Sequence, residues 1–150
     1  MNVVILGCGR TGATLALELS ARGHSITIIE RNPEALRRLG KDYTCRIVLG
    51  NGLDEDVISN AGIEKADAFF AVTRGDNTNL MAAQIVRRKY GTAKVCVKVA
   101  DPLRADAYRK MGLFCINASG LLSGLCRDWL LDEPYKTVDQ YNTLSPNLEI

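Results

Sequence analysis

Val3-Val4-Ile5-Leu6-Gly7-Cys8-Gly9-Arg10-Thr11-Gly12 is the stretch on which the fold turns. Four consecutive apolar residues read as a strand buried on both faces. Three glycines follow in the spacing G-x-G-x-x-G. Over residues 11–21 the apolar positions Ala13, Leu15, Ala16, Leu17 and Leu19 then fall at helical spacing. The glycine pattern alone is weak, but between a strand and a helix it gains a physical meaning. Gly7 makes the tight turn, Gly9 lets a pyrophosphate approach the backbone, and Gly12 lets the helix pack closely. The first amides of that helix have no partner within it and lie at the positive end of its dipole, so they suit a phosphate. Arg10 would add a cation and Thr11 a hydroxyl, while Cys8 at the same helix start is a candidate redox-sensing thiol.

Outward from this turn the rhythm repeats. Apolar strands are expected at residues 25–30, 46–49, 67–72, 94–99 and 113–117. Helices are expected between them: 33–39 after the cap Asn32, then 54–60, 77–90, 102–111, and 119–131 capped by Ser119. Short strands alternating with helices give an α/β fold, a Rossmann-like doubly wound parallel sheet of about six strands with helices on both faces. The expected strand order is 3-2-1-4-5-6. Residues 1–131 form the nucleotide-binding domain in this reading. Residues 132–150, polar and holding Pro134 and Pro146, form a linker or extension.

Composition agrees. The chain has 150 residues, 47% hydrophobic and 24% charged, which suits one globular domain and excludes a disordered chain. A formal charge of +2 is too mild for a nucleic-acid partner, and Arg37-Arg38 and Arg87-Arg88-Lys89 fall at helix ends, where they complement the dipole. No apolar run is long enough to span a bilayer, and no signal peptide is expected ahead of the first strand. Five cysteines without a C-x-x-C pair read as reduced thiols, and His24 is the only histidine, so no metal site is expected.

In a doubly wound sheet the ligand lies outside the carboxyl ends of the strands. Glu30 ends the second strand 18 residues after Gly12, where an acid can accept hydrogen bonds from ribose hydroxyls. Arg31 beside it stacks on adenine or pairs with a 2′-phosphate. Asn51, with Gly52 after it, follows the third strand and serves either an adenine edge or a plain turn. Thr73 and the run Asp76-Asn77-Thr78-Asn79 follow the fourth, and some of these side chains must cap the next helix. Lys98 interrupts the fifth strand and needs a partner, either a ligand or a carboxylate such as Asp101. No catalytic residue is expected, for no G-x-S-x-G, H-E-x-x-H or P-loop motif occurs.

The chain resembles the N-terminal domain of RCK proteins, the regulators of potassium conductance, and among them the TrkA-type subunits of potassium uptake systems. The likeness covers about residues 1–131. It rests on the glycine turn, on Gly23-His24 before the strand ending Glu30-Arg31, and on Gly50-Asn51-Gly52. It rests also on Ala66-Asp67-Ala68-Phe69-Phe70-Ala71-Val72-Thr73, on Asp76-Asn77-Thr78-Asn79 and on Val97-Lys98-Val99-Ala100-Asp101-Pro102. The resemblance implies a cytoplasmic regulatory subunit, peripheral to the membrane through a potassium channel or transporter, forming dimers and then rings. It implies that NAD(H) or an adenine nucleotide (ATP, ADP or AMP) binds at Gly7, Cys8, Gly9, Arg10, Thr11 and Gly12. Glu30 would hold the ribose, Arg31, Asn51 and Gly52 would face adenine, and Thr73, Asn77 and Lys98 would line the pocket further along. The family's usual C-terminal ligand-binding domain has no counterpart in the expected layout. The alternatives are an NAD-dependent oxidoreductase that takes catalytic residues from another chain, and an interaction module that has lost its ligand.

Overall fold

Each apolar run becomes a strand. The computed structural model describes residues 1–145, whose strands are β1 (Asn2–Leu6), β2 (Ser25–Glu30), β3 (Arg46–Leu49), β4 (Ala68–Ala71), β5 (Lys94–Val99) and β6 (Phe114–Asn117). They form one sheet in the order β3-β2-β1-β4-β5-β6, as expected from the rhythm of the sequence. The pairings β1–β2, β1–β4, β2–β3 and β4–β5 are parallel. The direction of winding reverses between β1 and β4, the switch point beyond whose carboxyl ends sheets of this kind bind their ligands.

By internal contacts the chain divides into two compact units, Met1–Val97 and the stretch from Lys98 onward. In the first, alternate residues of the strands serve opposite faces. Val3, Ile5, Ile26 and Ile28 share a buried cluster with Ala13 and Ala16 of α1 (Arg10–Ala21) and with Leu39. Val4, Leu6, Ile29, Phe69 and Ala71, of the opposite parity, are buried too. Ile58 of α2 (Glu55–Asn60), capped by Asp54, is buried as well, as are Leu80 and Ala83 of α3 (Asp76–Ile85).

Two helices differ from expectation. Residues Pro33–Leu39 form a 3-10 helix rather than an α-helix, with the Glu34 amide donating to Asn32 Oδ1 at 3.1 Å. Its inward residues Leu36 and Leu39 are three apart, which matches three residues per turn. The helix expected over residues 77–90 is α-helical only to Ile85, and Val86–Tyr90 is a π-helical turn. That wider turn keeps Val86 buried while Arg87, Arg88 and Lys89 stay exposed.

In the second unit, α4 (Pro102–Lys110) starts at Asp101, whose Oδ1 accepts from the Arg104 amide at 3.0 Å. Helix α5 (Ala118–Leu130) is capped by Asn117 and not by Ser119: Asn117 Oδ1 accepts from the Gly120 amide at 2.9 Å. The polar stretch after Asp132 carries a further helix, α6 (Val138–Asn142), on which Tyr141 and Asn142 are buried. The last five residues of the expected extension, 146–150, lie outside the described residues.

Candidate functional site

Strand β1 ends at Leu6, and the chain reverses through Gly7-Cys8-Gly9 into α1. Each glycine meets a different constraint. Gly7 has φ +103, a left-handed conformation that a side chain strains, and a Cβ there would lie 3.1 Å from the backbone of Thr73. A Cβ on Gly12 would lie 1.9 Å from the Gly7 carbonyl oxygen and 3.3 Å from Val72, so the close packing expected of Gly12 is onto the turn itself. Gly9 differs from both. Its φ is −73, and a Cβ there would meet nothing within 4 Å. Nothing among the described residues demands glycine at this position; an object approaching from outside would.

Helix α1 has no side-chain cap at Gly9. Its first backbone bond is donated by Ala13 to the Gly9 carbonyl at 2.9 Å. Among the described residues the preceding helical amides, Arg10 to Gly12, have no acceptor, so they retain their donors. The side chains of Arg10 and Thr11 are exposed beside them. Oriented N–H groups, a helix dipole and open space above Gly9 make a cradle suited to an anion.

Glu30 sits at the carboxyl end of β2, beside this cradle. Its Oε2 accepts from the Cys8 amide at 2.7 Å, and its Oε1 accepts from the amides of Arg31 and Asn32, both at 2.8 Å. The carboxylate therefore ties the glycine turn to the turn after β2. A carboxylate has about four acceptor positions, and backbone amides fill three. A hydroxyl pair reaching Glu30 must share Oε2 or displace an amide, which the bare spacing of the sequence does not reveal. Cys8 is fully buried, and burial, followed by the charge of Glu30, raises its thiol pKa. That is opposite to the activation expected at a helix start, so a redox-sensing role has no support here.

The remaining candidates are placed unequally. Arg31 is exposed directly after Glu30. Gly52 is packed on Leu6, where a Cβ would lie 2.2 Å from Cδ1, so its lack of a side chain serves the strand below it. Asn51 is exposed and its Oδ1 accepts from the Leu53 amide at 3.1 Å, the turn role for that oxygen. Asn77 is exposed in the first turn of α3, and Lys98, half-buried on β5, belongs to the second unit. The structure thus gathers Gly7 to Gly12, Glu30 and Thr73 tightly, with Arg31 at the edge.

One residue that the sequence reading names only within a polar run has a specific part near the site. Asn79 is fully buried. Its Oδ1 accepts from the Thr73 amide at 2.9 Å and from the Thr73 hydroxyl at 2.6 Å, and its Nδ2 donates to the Thr73 carbonyl at 3.2 Å. The available signal was helical spacing, which puts Asn79 on the same face as Ala82, Ala83 and Val86.

A family model for the TrkA-N domain matches residues 3–117. The chain belongs to the TrkA-N domain family. The resemblance read from the sequence is thereby borne out. This TrkA-N domain is 44% identical over 113 residues to the Trk system potassium uptake protein TrkA of Streptomyces coelicolor. The match covers 75% of the chain and 51% of that protein, so the chain spans about half the length of such relatives. Among solved structures it is similar to the Kef C-terminal domain of Shewanella denitrificans in its AMP-bound form, with TM-score 0.71, 20% identity, and coverage of 95% of this chain and 89% of that one. It is similar also to the GsuK channel bound to NAD, with TM-score 0.69, 20% identity, and coverage of 81% and 22%. At such identities these likenesses speak for the fold of the TrkA-N domain.

Proposed function

We propose that this TrkA-N domain binds an adenine nucleotide or NAD(H) at the glycine turn and acts as a regulatory, non-catalytic part of a potassium uptake system or channel. The observation that carries the reading is Gly9: a glycine with ordinary φ and, among the described residues, open space around it, at the start of a helix whose first amides have no acceptor among those residues. In this reading Gly7 to Gly12, with Arg10 and Thr11, hold phosphate. Glu30 holds ribose, and Arg31 and Asn51 flank the base. Thr73, whose backbone faces the Gly7 turn, belongs to the proposed pocket, followed in descending support by Gly52, packed on Leu6 of β1, and by Asn77. The AMP and NAD named for the two structural neighbours support the ligand class, and the TrkA name of the Streptomyces relative supports the potassium system. A membrane-embedded potassium channel or transporter subunit as partner belongs to the same proposal, supported by that relative's name; no helix among the described residues is long and apolar enough to cross a membrane. Placement at the cytoplasmic side, and assembly of dimers into a ring, belong to the same proposal.

Nucleotide binding only regulates a pore if the ligand prefers one of two assemblies, because a ligand with equal affinity for both shifts nothing. Titration calorimetry with NAD, NADH, ATP, ADP and AMP tests the first step. Saturable binding of at least one is expected, and no heat from any of them at high micromolar concentration overturns the reading.

A further inference from the structure

Strand β4 ends at Ala71, and the last ladder bond on its β1 side is donated by the Val72 amide to the Leu6 carbonyl at 3.0 Å. Thr73, one residue on, has passed the end of the sheet, yet its backbone forms the wall against which Gly7 turns. A backbone N–H and C=O leaving a sheet need new partners. The Asn79 side chain takes both, and takes the Thr73 hydroxyl as well. An amide has the donor and acceptor of a peptide group, so Asn79 stands in for the strand partner that Thr73 lacks. Burying an amide in an apolar helix face is unfavourable unless it is hydrogen-bonded, and a leucine there would fill the same face without satisfying Thr73. The Thr73 hydroxyl also accepts from the Gly75 amide at 3.2 Å, so the loop is held at several points.

We infer that Asn79 is a positioning residue for the nucleotide site, fixing Thr73 so that the Gly7 turn and the cradle beyond it keep their geometry. The inference rests on the proposed nucleotide binding and deepens it, since Asn79, fully buried, acts through Thr73 and Gly7.

The test compares Asn79→Ala with Ile58→Ala, a variant of a fully buried residue on α2. Both should lower the melting temperature. Calorimetry below both melting points, with AMP and with NAD, should show a dissociation constant raised about tenfold for Asn79→Ala and unchanged for Ile58→Ala. The Gly7 and Gly9 amide resonances should move only in Asn79→Ala. Equal affinity in wild type and Asn79→Ala, or equal weakening in both variants, overturns the inference while leaving nucleotide binding intact. Should Asn79→Ala not fold, Asn79→Ser, which keeps a donor and an acceptor, is expected to bind with intermediate weakening, and wild-type affinity in it is equally fatal. A wild-type protein that binds neither nucleotide removes the function proposed above, and the inference with it.

Discussion

Gly9 and Gly12 share one motif and answer to different forces. Gly12 is demanded by the protein: a methyl group at 1.9 Å from the Gly7 carbonyl oxygen cannot be accommodated without moving α1. Gly12→Ala should destabilise the fold by about 1–3 kcal/mol, the usual cost of overpacking, read as a lower denaturation midpoint at constant slope. Gly9→Ala should leave stability within about 1 kcal/mol, the cost of a poorer N-cap, while nucleotide binding weakens at least about tenfold. A Gly9→Ala variant with wild-type affinity would mean that the open space is not where the ligand sits. Glu30 has a double task of the same kind. Its carboxylate is already held by three backbone amides, so Glu30→Ala removes the proposed ribose acceptor and also releases the tie between two turns. A loss of about 1.5–3 kcal/mol of binding is expected, the range for hydrogen bonds to charged groups. AMP and NAD, which share the adenosine ribose, should lose by the same factor in parallel titrations.

Elements show what a local pattern can and cannot carry. The β1–α1 turn was legible because the strand, the three glycines and the amphipathic helix are contiguous, and each constrains the others. The capping of α5 was misread since Asn117 and Ser119 both suit a helix start, and the choice depends on where β6 ends. Helix α6 was hidden for a different reason: its anchor is polar and distant in sequence. Tyr141 packs on Gly124, where a Cβ would lie 2.4 Å from the ring. Its hydroxyl donates to Asp128 Oδ2 at 2.9 Å, and Asn142 Oδ1 accepts from the Asn117 amide at 2.8 Å. Burial opposes the charge on Asp128, but hydrogen bonds from Arg127 and Tyr141 prevail and hold its carboxyl below the ordinary value. A depressed folded pKa means that this stabilisation is present above the unfolded carboxylate pKa and is lost as pH falls through the folded one. Burial, then the bond to Asp128, raises the Tyr141 phenol, so its share is present below the unfolded phenol pKa and fades as pH rises through the folded value. Docking of α6, followed by the Tyr141 ring resonances, should hold between those limits. Tyr141→Phe should move the acid limit upward toward the ordinary carboxylate range. An unmoved limit would mean that Arg127 and Lys136, without the Tyr141 hydroxyl, govern Asp128.

At the scale of the whole molecule the charge is nearly balanced, and what stands out is an apolar surface on the second unit. On α5, Leu122, Trp129 and Leu130 are 65%, 71% and 72% exposed. Leu122 and Trp129 are seven apart, two helical turns on one face, while Gly124 and Asp128 occupy the buried face. Large exposed apolar side chains grouped on one helix are what a partner would cover. A second copy of the chain is the occupant consistent with the assembly proposed above, because a two-fold axis lets one stripe pack on its own image. Fully covering a side chain of this size contributes about 1.5–3 kcal/mol. Trp129→Glu with Leu122→Glu should therefore weaken association by orders of magnitude, since each charge would also be buried beside its own copy. Light scattering across a concentration series should show an oligomer for the wild type and a monomer for the double variant. The glycine turn belongs to the other unit, and calorimetry on that monomer should give an unchanged AMP dissociation constant if each chain carries a complete site. Lost binding would mean that the partner copy supplies part of it, whereas a wild type monomeric at every concentration would exclude the stripe as a contact between copies.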